Sequence, residues 1–224
     1  MKPFFFPVIA LLALQACSEP EAEKPKETPK ASRLSVVDSL FGDLVIEDTF
    51  YVYSSWGGSE NHPFKGTPMD SLQVASLTHD LKMSYSYFKD VGACYKFPLD
   101  ASRFALIARV PGEYASTAVN LFVFDVEKDS VVQTLHLADV FGDAGESMSY
   151  SSCIFREKDH SLKVATQWHS EYSHSVDNEN DTTVERWNRF WIFGLSKHTG
   201  DTLLKDSATI VNSYPQIMRG LSHY

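Results

Sequence analysis

Beyond residue 34 the apolar positions come in short bursts broken by Gly, Pro, Asn, Asp and Ser. That is the patterning of strands and turns, not the 3.6-residue rhythm of long helices. Thr49-Phe50-Tyr51-Val52-Tyr53 reads as a strand, and residues 54–66 read as a loop carrying Trp56. Thr67-Pro68-Met69-Asp70 has helix-start chemistry: a capping hydroxyl, Pro at the first helical position and an acid three residues after the cap. The stretch 68–81 then satisfies two periods at once. Leu72 and Val74 alternate as on a strand, while Met69, Leu72 and Ala75 follow helical spacing, so it reads as either a short helix or a strand.

From Cys94 the pattern repeats. Cys94-Tyr95-Lys96-Phe97 and then Phe104-Ala105-Leu106-Ile107-Ala108 align with Cys153-Ile154-Phe155 and then Leu162-Lys163-Val164-Ala165-Thr166. Glu113-Tyr114-Ala115-Ser116-Thr117 aligns with Glu171-Tyr172-Ser173-His174-Ser175, and Leu121-Phe122-Val123-Phe124 with Phe190-Trp191-Ile192-Phe193. An acidic insertion, Asp177-Asn178-Glu179-Asn180-Asp181, lengthens the second copy. Each copy, about 94–135 and 153–206, reads as a four-stranded antiparallel meander. The third strand is apolar on both faces, which predicts an interior position for it.

The expected fold is therefore all-β. A meander of this size resembles one β-propeller blade, but two blades do not close a ring. Two meanders packed as a sandwich or curled into a barrel remain, with residues 34–93 covering one side or adding strands.

The first residues obey a different pattern. Lys2 precedes an almost wholly apolar run, Phe4 to Leu14, too short for a membrane-spanning helix of roughly 20 residues. This is the build of a cleaved secretory signal, with small residues before the cut. Leu14-Gln15-Ala16-Cys17 resembles the lipobox of bacterial lipoproteins of Bacteroidota type, although Gln15 departs from the small or apolar residue usual there. The resemblance implies that residues 1–16 are removed and that Cys17 carries a diacylglycerol on sulfur. It places the protein in the cell envelope, facing the periplasm or the cell surface, with the outer membrane the better candidate. Residues 17–33 then form a tether: Ser18 to Arg33 holds four Glu, three Lys, one Arg and three Pro, and no large apolar residue. Residues 34–224 make a single domain.

Charge narrows the partners. The tether is neutral, so the chain's net −9 sits on the folded part, the opposite of a nucleic-acid or anionic-lipid footprint.

Candidate chemistry is sparse. Cys94 and Cys153 fall at equivalent places in the two copies; pseudo-twofold packing would bring them together as a disulfide, and separate packing would leave two buried thiols. Asp177, Glu179 and Asp181 have the 1-3-5 spacing of a calcium loop, but Thr182 stands where Gly is needed and Asn188 where the twelfth-position acid belongs. No metal or cofactor is expected. His169, Glu171 and His174 gather near one strand end, where His169 and Glu171 share a face. Asp139, Asp143 and Glu146 lie between the copies, as a carboxylate set or a solvated connection. Trp56, Trp168, Trp187 and Trp191 are either core or a platform for a glycan or a protein. Six Asp-Ser/Thr steps followed by Ala, Leu, Val or Thr resemble the O-glycosylation acceptor motif of Bacteroidota envelope proteins, with Ser39, Ser71, Ser130, Thr182, Thr202 and Ser207 as acceptors; Asp-Ser and Asp-Thr are also turn formers.

No catalytic motif stands out. The expected role is a tethered, non-catalytic binding or accessory module with a protein or glycan partner. A glycan- or peptide-directed hydrolase using His169 or the carboxylates, and an inhibitor of a basic enzyme using the acidic 177–181 tip, are the alternatives.

Overall fold

The fold is that of a computed structural model, whose described residues are 32–56, 60–77, 90–112, 117–195 and 202–223. Cys17 and the tether up to residue 31 lie outside them. The domain is mostly β, with short helices at its outer faces. In chain order the elements are α1 (Arg33–Val37), β1 (Gly42–Asp43), β2 (Thr49–Val52), β3 (Thr67–Pro68) and α2 (Ser71–Leu77). There follow β4 (Gly92–Pro98), β5 (Arg103–Val110), β6 (Ala118–Asp125), β7 (Ser130–Asp143), β8 (Glu146–Arg156), β9 (Leu162–Ser173), β10 (Val184–Gly194) and β11 (Thr202–Leu204). Helices α3 (Ser207–Ser213) and α4 (Pro215–Leu221) close the chain.

The strands form one open eleven-stranded sheet in which β4 to β11 follow each other in order. β7 joins its two halves: residues up to Ala138 pair with β6, and Asp139–Asp143 pair with β8. Where β7 leaves β8, β2 takes over the vacated edge at Ser152–Phe155. β1 and β3 extend the β4 edge, β1 in parallel. Residues 34–93 thus both add strands and cover a face. The β7–β8 turn has positive φ at Ala144 (47°) and at Gly145 (88°), the primed hairpin geometry that suits the twist of the flanking strands.

Alternation along the strands divides the core. Ala105, Ile107, Leu121, Val123, Ile154 and Val164 share one cluster that runs across both halves. Leu106, Ala108, Phe122 and Phe124 face the other way, under Val37 of α1 and Val74 and Leu77 of α2. Cys153, Phe155, Ala165 and Ile192 lie under Ile210 of α3 and Met218 and Leu221 of α4. The β4–β5 turn (Leu99, Asp100) and the β8–β9 turn (His160, Ser161) line one cavity, although four strand spacings of about 4.8 Å each would separate them in a flat sheet. The sheet is strongly curled.

Several expectations change. The stretch 68–81 is resolved as helix at Ser71–Leu77, but its cap is Asp70: Oδ1 accepts from the Leu72 and Gln73 N–H groups, and Gln73 Oε1 accepts from the Asp70 N–H. This reciprocal box, and not Thr67-Pro68, starts the helix; Thr67 and Pro68 pair with β4 instead. The third strands differ: β6 is buried nearly throughout, whereas β10 is exposed over Glu185–Arg189. The sequence equivalence is not an equivalence of facing. Cys94 and Ile107 belong to the shared cluster, while their counterparts Cys153 and Ala165 face α3 and α4. The Cys94–Cys153 bridge is accordingly absent and both thiols are free and buried. Burial pushes Cys94 up to about 11 and Cys153 up to about 12, so both are unreactive apolar fillers.

Candidate binding surface

The β7–β8 turn and the far ends of β9 and β10 form a tip. Residues paired across antiparallel strands point to the same side, so the register assigns each side chain a face. On one face Tyr150 stands opposite both Asp139 and Trp168, and Trp168 stands opposite Arg189. The next row holds Phe141, Met148, Ser170 and Trp187, and the last holds Asp143, Glu146, Tyr172 and Glu185. Trp191 lies two positions along β10 from Arg189. Three of the four tryptophans therefore share one face. Trp187 is 43% exposed, and the Arg189 guanidinium lies 5.0 Å from the Trp168 ring centroid. The His136 ring meets Tyr150 edge-on at 4.9 Å, and with Asp139, Phe141 and Met148 they enclose a cavity of about 230 Å³.

Trp56, the fourth, is 64% exposed and lies away from this row, against Gly142, where an added Cβ would meet its ring at 2.9 Å.

The opposite face of the tip is polar. Its rows are Ser147–Glu171–Arg186, Ser149–His169–Asn188 and Ser151–Gln167–Phe190. Asn188 Oδ1 accepts from Gln167 Nε2 at 2.9 Å and sits 3.0 Å from His169 Nδ1. Glu171 Oε1 accepts from Arg186 Nε at 2.6 Å and lies 3.3 Å from His169 Nε2. Hydrogen bonds from Arg186 and then His169 hold the Glu171 carboxyl below its usual range.

The structure brings His169 and Glu171 together and sends His174 elsewhere. His174 Nε2 pairs with Glu185 at 2.9 Å, next to Tyr172, whose hydroxyl donates to Asp177. The acids of the 177–181 loop are used locally: Asp181 Oδ1 accepts from the Thr183 N–H, and the Asp177 and Asn178 N–H groups donate to the His174 carbonyl. Asp139 accepts from Thr117 Oγ1 at 2.8 Å, while Asp143 and Glu146 flank the turn. The three carboxylates do not converge on one point of chemistry.

The Asp-Ser/Thr steps are largely caps and turns. Asp70 and Asp206 cap α2 and α3, leaving Ser71 and Ser207 as their first residues. Asp129 has positive φ (48°) in the β6–β7 turn beside Ser130, and Asp181 closes a turn around Thr182. Ser39, Ser71 and Thr182 are exposed; Ser207 is half-buried and its Oγ accepts from the Phe190 N–H. Thr202 opens β11, with its side chain outside the described residues.

No family model, curated protein or solved structure matches the chain.

The residues missed in sequence are Tyr150, Arg189, Gln167, Asn188 and the serines of β8. Their signal was the strict alternation of Ser147-Met148-Ser149-Tyr150-Ser151, which marks a strand with one polar and one apolar face.

Proposed function

We propose that this is a lipid-anchored protein of the bacterial cell envelope that binds a glycan, without catalysis, through the tryptophan face of its tip. The observation that carries the reading is the clustering of Trp168, Trp187 and Trp191 on one sheet face, with Arg189 and Tyr150 between and beside them. Flat aromatic rings on a rigid sheet offer apolar faces to sugar rings at little ordering cost. Asp139, Glu185 and Arg189 at the margin supply hydrogen bonds to hydroxyls.

The attachment point supports it. Ser32 Oγ and the Arg33 N–H both donate to Asp129 Oδ1 at 2.7 Å, in the β6–β7 turn. The tip lies beyond the other end of β7, whose residues Ser130–Asp143 rise about 3.3 Å each. The described domain thus begins, at Ser32, beside the end of β7 opposite the tip. Within this reading, the two meanders are the facing halves of a sandwich-like body, supported by the shared apolar cluster and the cavity between their turns. O-glycosylation, where it occurs, falls on exposed Ser39, Ser71 and Thr182 before half-buried Ser130 and Ser207.

A second reading has one observation in its favour. Asp143, Glu146, Asp177, Glu179 and Glu185 rim the tip, and Asp177 to Glu179 are fully on the surface, which suits a basic protein partner and the inhibitor alternative. The hydrolase alternative is weaker: Glu171 is committed to Arg186, which keeps it ionised and unsuited to general acid work.

The test is binding of the mature protein to polysaccharide purified from its own envelope. Trp187→Ala and Trp168→Ala are each expected to weaken binding about tenfold, the loss of roughly 1.4 kcal/mol of stacking. Binding that survives both substitutions and disappears in high salt would replace the glycan by the basic protein. Separately, Cys17→Ser is expected to move the protein from the membrane to the soluble fraction; an unchanged membrane fraction would remove the anchor.

A further inference from the structure

The polar face of the tip contains a cleft that the tryptophan reading does not use. Ser149, Ser151, Gln167, His169 and Asn188 form its floor, and Leu221 and Ser222 at the end of α4 form its rim. Its volume is about 270 Å³, near the lower end of the roughly 300–1,000 Å³ typical of small-molecule sites.

The hydrogen-bond inventory of this floor is incomplete. Gln167 Nε2 is spent on Asn188, but Gln167 Oε1 is buried with no partner among the described residues. Exchanging the two amide atoms moves the vacancy to the nitrogen without filling it. A buried polar atom left unmet costs about 1–3 kcal/mol. Ser151, only 6% exposed, stands opposite Gln167 and lines the same floor with its hydroxyl. The Ser149 hydroxyl and the Asn188 amide nitrogen add hydrogen-bond donors to the floor. Nothing in the floor except His169 can carry charge; Glu171, one row further out, accepts from Arg186 and lies 3.3 Å from His169 Nε2.

We infer that this cleft is a binding site for one neutral sugar ring. The occupant must present both donors and acceptors at close spacing, carry no net charge and be no larger than a single ring. Vicinal hydroxyls meet all three demands. They donate to Gln167 Oε1 and Ser151 Oγ, and they accept from the Ser149 hydroxyl and the Asn188 amide. Leu221, itself buried against the sheet, and Ser222 bound the ring on the α4 side. The cleft is open on one side, so the ring is either a free monosaccharide or the terminal residue of a glycan.

The experiment is ligand-observed NMR and calorimetric titration of the full-length mature protein. The probes are D-glucose, D-galactose, D-mannose and N-acetyl-D-glucosamine, each also as a trisaccharide ending in that unit, with D-glucuronate as the charged control. Saturable binding of at least one neutral sugar is expected, with D-glucuronate at least tenfold weaker. Gln167→Leu and Ser151→Ala are each expected to weaken it at least fivefold. Trisaccharide affinity above that of the monosaccharide assigns the site to a glycan end; equal affinity assigns it to a free sugar. Ser151→Ala removes one oxygen and creates no steric demand, so it remains informative should Gln167→Leu fold poorly. The inference is overturned when no neutral sugar saturates the folded protein, or when both floor variants bind like the wild type. Loss of binding in Trp187→Ala alone would transfer the sugar to the tryptophan face and leave this cleft without an occupant.

Discussion

Gly220→Ala tests the packing that builds the wall of the cleft beside α4. Gly220 sits in the last turn of α4, where Ala is the better helix former by at most about 1 kcal/mol. Propensity alone therefore predicts stabilisation. The structure reverses the sign. A Cβ at 220 would lie 2.6 Å from Tyr51 Cε1 and closer still to Cζ and the hydroxyl. Tyr51 has little freedom to withdraw, because β2 is paired to β8 with Tyr51 opposite Cys153, and the ring packs on the α3–α4 cluster. Overpacking of this kind costs about 1–3 kcal/mol, which leaves a net loss of up to about 2 kcal/mol once a helix gain of about 1 kcal/mol is subtracted. For a domain of this size that is a fall in Tm of up to about 4–8 °C. Scanning calorimetry of Gly220→Ala, Tyr51→Leu and the double variant measures it. The substitutions should couple by about 1–2 kcal/mol, with Gly220→Ala far less harmful once Tyr51 is Leu. A Tm that rises in Gly220→Ala, or a loss unchanged by Tyr51→Leu, would refute the close packing of α4 on β2.

Three further outcomes are expected. Asp70→Ala removes the acceptor of the Leu72 and Gln73 N–H groups and should cost about 1 kcal/mol, read as a lower urea midpoint at constant slope. Gln133→Leu should raise the urea midpoint by the equivalent of about 1–3 kcal/mol, because both amide atoms of Gln133 are buried without partners among the described residues. Acid should weaken the fold through His62, whose Nδ1 accepts from the Phe64 N–H and whose Nε2 lies 3.1 Å from the Thr117 carbonyl oxygen. Burial lowers its pKa, so below about pH 6.5 the unfolded chain takes up a proton that the folded one refuses, and stability falls until the folded-state pKa is passed. His174 acts in the opposite sense: Glu185 raises its pKa, so its contribution is complete below about pH 6.5 and is lost as pH rises through the folded value. Urea midpoints at pH 7.5 and 5.5 for wild type and His62→Gln isolate the buried ring, and an unchanged acid loss in His62→Gln would clear it of the effect.

Much of this protein is written locally in its sequence. The β-rich character of the domain and most of its strands are properties of composition and period, which need no knowledge of neighbours. The two C-terminal helices are absent from the all-β expectation, although their signals are local: Asp206 caps α3 and Pro215 opens α4. The faces were not legible. In a strand, a shift of one residue sends every side chain to the other side, and two segments that align in sequence carry no record of which side is covered. Cys94 and Cys153 align and yet face different layers, because α3 and α4 cover the second half of the sheet and the shared cluster takes up Cys94. Trp168 and Trp187 are 19 positions apart in the chain and share a face only through the β9–β10 register. Ser151 and Gln167 are ordinary polar residues until the curled sheet and the end of α4 enclose them. Period and composition fixed which residues form strands; long-range pairing and the covering helices decided which of those residues share a face or a cleft.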